Sequence, residues 1–475
     1  MKNANVRMDR RAVMKSAAIK VAAAAPYFVS SRVFAGPGRV APSDRIEIAV
    51  IGIGVRGKYL ISSLPENVQV TALCDCSTEQ IESARKPEGV FRELLTSFLS
   101  SGGDRCAVYQ DYRELFSQHS CDAAIIATSD HHHALASILA MKAGCDVYVE
   151  KPLAVTIAEG RAIVDAAKRY DRIVQVGSQQ RSMKVNQTAC EFVRDGGLGR
   201  VHLVEERNFP GPMPYEPEMF SEEFVPASMN WDCFCGPTPT LPYHRRLWMK
   251  DAFKYGYLTW RGWDLFEAFS GHLMTNWGAH SLDMIQYALG MDDGGPTDVT
   301  PHFDQVDATT DDQWHQKTPP LGEVKNHQRD RRRFTPVSMR YDNGVVLQLK
   351  PQVSQTVFHG QHGRLYLSRN HYRTEPDGLL PPVDAAEVAR WSGSGGGSVA
   401  GPHLQDWLDA VRHRGSVHAP PEIGHRSASV CHLANIARVL GRPVRWNPRT
   451  EKFIDDPQAD QHLSRLRRDG FQLPA

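Results

Sequence analysis

The stretch Ile46-Glu47-Ile48-Ala49-Val50-Ile51-Gly52-Ile53-Gly54-Val55-Arg56-Gly57 decides how the rest of this 475-residue chain is read. Its first six residues form an apolar run of strand length, and Lys58 to Leu64 continues as a helix, so the glycines occupy a strand-to-helix turn. Gly52 permits the tight turn, Gly54 lets backbone approach a pyrophosphate, and Gly57 lets the helix pack on the strand, while the helix N-terminus offers free N–H groups to an anion. Gly52, Ile53, Gly54, Val55, Arg56 and Gly57 are therefore candidate dinucleotide contacts. A second apolar run, Val68 to Leu73, leads to Asp75, roughly 20 residues beyond the glycines, where an acidic side chain accepts a hydrogen bond from a ribose 2′-hydroxyl. That acid favours NAD over NADP.

Composition narrows the class. A net charge of +1 leaves no electrostatic case for nucleic acid, and Arg331 to Arg333 reads as solvated surface. No apolar run reaches the roughly 18 residues of a membrane span. The length predicts two to three domains. The 9 cysteines are scattered, and the close pairs Cys74/Cys76 and Cys233/Cys235 have one intervening residue rather than the two to four of a zinc site, so they read as small core residues and no metal is expected.

Residues 1–35 read as a targeting segment. Asp9-Arg10-Arg11-Ala12-Val13-Met14-Lys15 places twin arginines before an alanine-rich stretch ending at Val33-Phe34-Ala35, a small-residue cleavage pattern. This resembles a bacterial twin-arginine (Tat) signal and predicts export of a folded protein to the periplasm.

Beyond the glycine turn the chain alternates. Asp122 to Thr128 and Asp146 to Val149 read as buried strands, Leu135 to Ala143 and Ile157 to Arg169 as helices, Ile173 to Val176 as a last strand, and Ser83 to Arg105 as an insertion of low periodicity. This is the pattern of a doubly wound parallel sheet over residues 46–180. Residues 181–475 read as a sheet-rich α+β domain, with a hairpin turning at Asp342-Asn343-Gly344, helices over 403–412 and 427–440, a Gly/Ser loop over 392–401, and a polar excursion over 304–332.

Together with the glycine turn, the motifs Ala127-Thr128-Ser129-Asp130-His131-His132-His133, Val149-Glu150-Lys151-Pro152-Leu153 and Gln175-Val176-Gly177-Ser178-Gln179-Gln180-Arg181 resemble the Gfo/Idh/MocA family of oxidoreductases, from about residue 46 to the C-terminus. The resemblance implies a Rossmann domain followed by an α+β domain with an open, largely antiparallel sheet. It also implies assembly as a homodimer or tetramer and a sugar or cyclitol as substrate. By the same motifs Thr128, His133, Glu150, Lys151 and Gln179 join the cofactor contacts, and Arg181 the substrate contacts.

Two residues carry the chemistry. Pro152 holds Lys151 extended at a strand end, aimed at the crevice where such sheets bind ligands, and an ammonium there stabilises an oxygen anion as it develops. A helix read from Thr275 to Leu289 places Leu282, Ile285 and Leu289 on one face and Asn276, His280, Asp283 and Tyr287 on the other. The resemblance makes His280 the proton-transfer group and Asn276 and Asp283 its substrate-binding neighbours, although the family carries an acid at the position of Asn276. Five tryptophans, Trp231, Trp248, Trp260, Trp263 and Trp277, read mainly as core packing under a long loop and secondarily as sugar platforms.

The function that follows is NAD-dependent hydride transfer at a sugar or cyclitol hydroxyl or carbonyl. A glycoside-cleaving enzyme with tightly retained NAD, working by transient oxidation, elimination and reduction, is the alternative. A non-catalytic carbohydrate-binding protein on the same scaffold is the third.

Overall fold

The computed structural model describes residues 45–215, 222–245, 247–248, 262–306, 331–391 and 400–474. The signal segment, Trp260, residues 392–399 of the Gly/Ser loop and residues 307–330 of the polar excursion lie outside them. The unit Ile46–Ala475 is built on two sheets.

The first sheet is parallel throughout: β1 (Ile46–Ile51), β2 (Val68–Cys74), β3 (Ala107–Tyr109), β4 (Ala123–Ile126), β5 (Asp146–Val149) and β6 (Val174–Val176). Their spatial order is β3-β2-β1-β4-β5-β6, so the direction of winding reverses between β1 and β4. Ligands of such sheets bind at that reversal, beyond the carboxyl ends of the strands. Helices cover both faces, which is why β1 is apolar on consecutive residues: Ile48 and Val50 pack into one core, Ala49 and Ile51 into the other. Each fully buried Ile or Val contributes about 1.5–3 kcal/mol.

The second sheet has nine strands: β7 (Leu203–Arg207), β8 (Pro296–Pro301), β9 (Val337–Tyr341), β10 (Val346–Lys350), β11 (Thr356–Gly360), β12 (Gly363–Ser368), β13 (His371–Glu375), β14 (Val444–Asn447) and β15 (Lys452–Phe453). Their order is β13-β12-β11-β7-β10-β9-β8-β14-β15, antiparallel except where β7 pairs with β10. One face packs against the helices Lys184–Arg194, Gly278–Ala288 and Pro421–Leu440; on the other, residues such as Arg340, Lys350 and Arg364 are exposed.

The structure corrects the sequence reading in three places. Ser83 to Arg105 holds the short helices Val90–Leu94 and Thr96–Ser100, too brief for an apolar period to register. β3 and the helix Tyr112–Gln118, capped by Asp111 through the Arg113 N–H at 2.8 Å, were not anticipated. The single helix expected from Thr275 is two, His272–Asn276 and Gly278–Ala288, broken at Trp277. Gly278 weakens helix continuity and lets Met274 pack close, since a Cβ there would lie 3.0 Å from its terminal methyl.

A buried ion pair joins the two sheets' elements. Arg181, just beyond β6, donates from Nε to Asp283 at 2.9 and 3.0 Å and from Nη2 to Asp292 at 2.7 Å, and the Ser427 hydroxyl donates to Asp283 at 2.7 Å. Arg181 and Asp283 are 4% and 1% exposed. Removing one partner strands a buried charge, so Asp283→Ala is expected to destabilise the fold by about 3 kcal/mol, the low end of that range because Asp292 remains. Chemical denaturation checks this; an unchanged midpoint would assign the pair no structural role.

Candidate functional site

The site forms where β1 and β4 part. Gly52 has φ +89°, and a Cβ on it would stand 2.4 Å from the Ala127 carbonyl oxygen; a Cβ on Gly57 would stand 2.0 Å from the Gly52 carbonyl oxygen. Only glycine lets β1, β4 and the helix Val55–Ser62 approach this closely. The Ile53 N–H donates to Asp75 Oδ2 at 2.7 Å and the Ser77 N–H to Oδ1 at 2.9 Å, which fixes the carboxylate at the end of β2. Asp75, Gly52 and Thr128 line one cleft, and among the described residues the buried Thr128 hydroxyl has no hydrogen-bond partner. A glycine cradle at a helix start, a fixed acid at the end of β2 and an unsatisfied hydroxyl fit a dinucleotide.

Toward the second sheet lies a polar cluster. The Lys151 ammonium donates to Asn276 Oδ1 at 2.9 Å, and Asn276 Nδ2 faces Asp264 Oδ1 at 3.5 Å. The Ser270 hydroxyl lies 2.8 Å from Asp130 Oδ2 and 3.1 Å from Asp264 Oδ1. One hydroxyl proton serves one carboxylate at a time, and burial, then the Asp264 charge, pushes Asp130 up to about 7. The pair therefore holds a proton near neutrality. Burial pulls Lys151 below its ordinary value, against the attraction of Glu150 and Asp130.

His280, half-buried, makes no side-chain hydrogen bond among the described residues. Burial first, then the positive charges of Arg369, Lys151 and Arg56, hold its imidazole well below the ordinary histidine range. At neutral pH it is a neutral ring, able to accept a proton.

The other candidates fall into two groups. Glu150 accepts from Arg56 Nε at 2.7 Å and from Gln179 at 3.3 Å, an ion pair across the crevice floor from the glycine turn to the Lys151 strand end. His133 lies within 2.7 Å of the Pro152 carbonyl and 3.2 Å of the Thr128 carbonyl, so it braces the loops behind the cleft. Arg181 and Asp283, expected among the substrate contacts, are occupied with each other and sealed from solvent. Trp231 and Trp263 are buried in an aromatic cluster, whereas Trp277 is 41% exposed.

Sequence reasoning reads Asp264 only among the polar groups beside the tryptophans and Asp130 only as part of a motif, and places neither next to Lys151 and Asn276. Asp264 enters from the short turn Gly262–Leu265, 12 positions before the amide it faces, and supplies a buried carboxylate beside Asn276. The only signal in sequence was the run of aromatic residues around it, which marks a buried environment.

The outer end of the cleft is covered by the chain itself. Cys233, Phe234, Trp248 and Phe471 complete its lining. Residues 228–236 are stitched to the first sheet: the Thr78 N–H donates to the Ser228 carbonyl at 2.9 Å, the Asn230 N–H to the Cys76 carbonyl at 2.8 Å, and the Nε2 groups of His131 and His132 reach the Phe234 carbonyl at 2.8 and 2.9 Å. Burial holds His132 down to about 3, so it donates as a neutral ring. The C-terminal segment closes over these residues. Arg468 donates to the Asp232 and Gly236 carbonyls at 2.8 and 3.0 Å, and the Arg113 guanidinium lies 3.8 Å from the Phe471 ring centre.

A doubly wound sheet with a glycine cradle, joined to a second, open sheet, and a strand-end lysine that shares its crevice with a helix histidine define a two-domain dinucleotide-binding fold. The chain belongs to the Gfo/Idh/MocA family: residues 46–178 match its NAD-binding Rossmann fold, and residues 216–320 and 323–473 its C-terminal alpha/beta domain. Inositol 2-dehydrogenase of Salmonella typhimurium is 27% identical over 168 residues, 34% of this chain and 46% of that protein. A glycosyl hydrolase family 109 protein of Shewanella pealeana is 27% identical over 210 residues, 41% of this chain and 45% of that protein. The chain thus spans about half the length of these curated relatives. The WlbA dehydrogenase of Bordetella pertussis, solved with NADH and UDP-GlcNAcA, shares the fold with a TM-score of 0.56 at 14% identity over 85% of this chain and 98% of that one.

The depressed His280 fixes the expected pH behaviour. Its base form persists below the ordinary histidine value of about 6.5, so the acid limb of kcat/KM for substrate oxidation is expected below that pH and is absent in His280→Ala. A limb unmoved by that substitution would assign it to another group. Asp130 works the other way. Its raised value means that the folded state holds a proton the unfolded state has lost, so stability falls as pH rises from about 4 toward 7. Asp130→Asn is expected to flatten that dependence, read as the difference in Tm between pH 5 and pH 8.

Proposed function

We propose that the protein is an NAD-dependent oxidoreductase acting on a hydroxyl or carbonyl of a sugar, sugar derivative or cyclitol. The observation that carries this reading is the pairing of a neutral His280 with the Lys151 ammonium in one crevice beside the glycine cradle. The Gly52–Gly57 turn, Asp75 and Thr128 would hold NAD, which when bound supplies the oxidising equivalent. His280 takes the proton from the substrate hydroxyl. Lys151, oriented by Asn276, donates to the same oxygen and stabilises its developing negative charge. The Asp130–Ser270–Asp264 group balances the ammonium and keeps Asn276 oriented toward it. Similarity to inositol 2-dehydrogenases supports a polyhydroxylated ring as substrate.

The covered cleft favours a second reading, in which NAD is retained and the net reaction is glycoside cleavage without net redox. Residues 228–236 and the segment around Arg468 and Phe471 wall the cleft beside Asp75, and their contacts would slow the exit of a bound dinucleotide. Similarity to glycosyl hydrolase family 109 proteins is consistent with this. Export by the twin-arginine route suits both readings, because a folded protein carries its cofactor with it. We further infer a homodimer or tetramer assembled through the open face of the nine-stranded sheet.

Lys151→Ala is expected to lower kcat/KM by roughly 10²–10³-fold while NAD content is kept; unchanged turnover would remove the lysine from the reaction. Denaturing protein purified without added cofactor and quantifying NAD(H) by mass spectrometry separates the readings. Stoichiometric NAD(H), lost more quickly from an Arg468→Ala/Phe471→Ala variant, supports retention. An empty protein that binds NAD reversibly supports an ordinary dehydrogenase, and one that binds none overturns both.

A further inference from the structure

The crevice contains a cation that the proposed reaction does not use. Arg369 stands in the turn between β12 and β13, next to Asn370 at φ +59°. The turn is fixed from behind: the Asn370 N–H donates to Asn186 Oδ1 at 2.8 Å, and its side-chain amide to the Val388 carbonyl at 3.0 Å. The Arg369 side chain is exposed and makes no ion pair and no side-chain hydrogen bond among the described residues. Its described contact is the ring of Trp277, 5.9 Å from guanidinium carbon to ring centre.

Arg369 belongs to a cationic corner. The charges of Arg369, Lys151 and Arg56 all bear on His280. Arg56 is paired with Glu150 at 2.7 Å, and Lys151 is anchored on Asn276 at 2.9 Å. The Glu150 charge reaches Arg369 but is already committed to Arg56, and among the described residues no carboxylate pairs with Arg369 itself; gathering like charges in a crevice is unfavourable unless a further anion joins them. Beside it the Trp277 indole, 41% exposed, meets His280 edge-on at 6.3 Å between ring centres. An exposed flat apolar face, an uncommitted planar fork of donors and the proton acceptor thus occupy one corner. The complementary ligand has an apolar ring face and an acidic oxygen group on the same molecule.

We propose that Arg369 and Trp277 form the subsite for an acidic substituent of the substrate, so that the enzyme selects sugars carrying a carboxylate, sulfate or phosphate group over neutral ones. This rests on the reading of the crevice as a sugar oxidoreductase site. The sugar ring lies against Trp277 with its acidic group on the Arg369 fork, which leaves an adjacent ring hydroxyl between Lys151 and His280. Arg369 is a specificity residue here and takes no part in proton transfer.

The test compares matched pairs, glucose with glucuronate, galactose with galacturonate, and glucose with glucose 6-sulfate and glucose 6-phosphate. Turnover is followed by NADH absorbance, and binding independently by ligand-observed NMR. Wild-type protein is expected to favour the acidic member by about 10- to 100-fold, the worth of a charge-assisted contact, and Arg369→Ala to bring the ratio close to unity, with Arg369→Lys intermediate. The sulfate and phosphate pairs decide which acid the fork prefers. Equal or better use of neutral sugars by wild type, or an Arg369→Ala ratio unchanged from wild type, overturns the proposal. So does an Arg369→Ala variant that loses NAD affinity while keeping its acid preference, because the guanidinium then serves the cofactor. Should no sugar be turned over, the redox reading fails, and NMR binding alone decides the subsite: acidic ligands bound by wild type and lost in Arg369→Ala support it, and no difference sinks it.

Discussion

A guanidinium buried between two carboxylates holds the site together. Arg181 follows the last strand of the nucleotide-binding sheet, and Asp283 lies one helical turn after His280, so the pair sets how the Gly278–Ala288 helix stands against that sheet. The contact between Lys151 and Asn276 depends on that placement, because its two residues come from the same two halves of the fold. Sealing the pair from water makes it unforgiving, since either charge alone would be costly to keep there. The rigidity that follows is what the proposed reaction asks of the site, with the proton acceptor and the ammonium held in fixed geometry.

The electrostatics of the crevice follow from burial more than from individual pairs. His280 stays neutral because its surroundings are dry and positively charged, while Asp130 keeps a proton because it is buried, an effect to which the Asp264 charge adds. Environments that push titratable groups apart in this way mark acid and base assignments. The departure at Asn276 fits the same logic. With Asp264 already in place, an aspartate at 276 would add another carboxylate to the Asp130–Asp264 pair, whereas an amide can accept from Lys151 and face Asp264 with its nitrogen.

Much of the first sheet was legible in the sequence because its signals are local. Gly52 and Gly57 announce a close approach that no other residue survives, and β1, β2, β4, β5 and β6 are apolar runs bounded by turns. β3 and the helices between Val90 and Ser100 were not legible, being too short for periodicity to speak. In the site, Lys151 and His280 stood out by motif, and the structure brings them into one crevice. Asp283 and Arg181 carried the same motif signal, yet each is the other's partner. Burial is settled by tertiary packing, and a polar stripe on a helix looks alike whether it faces a ligand or a buried counter-ion. Asp264, Asp130 and Arg369 come from separate turns, and their convergence is a property of the fold alone.

The cover over the cleft has a consequence for biosynthesis. Arg113 and Gly470, hydrogen-bonded at 3.0 Å, are separated by 357 residues of chain, so the nucleotide-binding sheet emerges and can collapse long before its cover is made. During that interval the cleft lacks the wall contributed by Phe471 and is open to nucleotide from the surrounding pool. That wall of the cleft is thus the last part of it to be made. A ribosome that stalls before this segment leaves a chain that has its glycine cradle but lacks Phe471 in the cleft wall and the Arg468 contacts to residues 232 and 236.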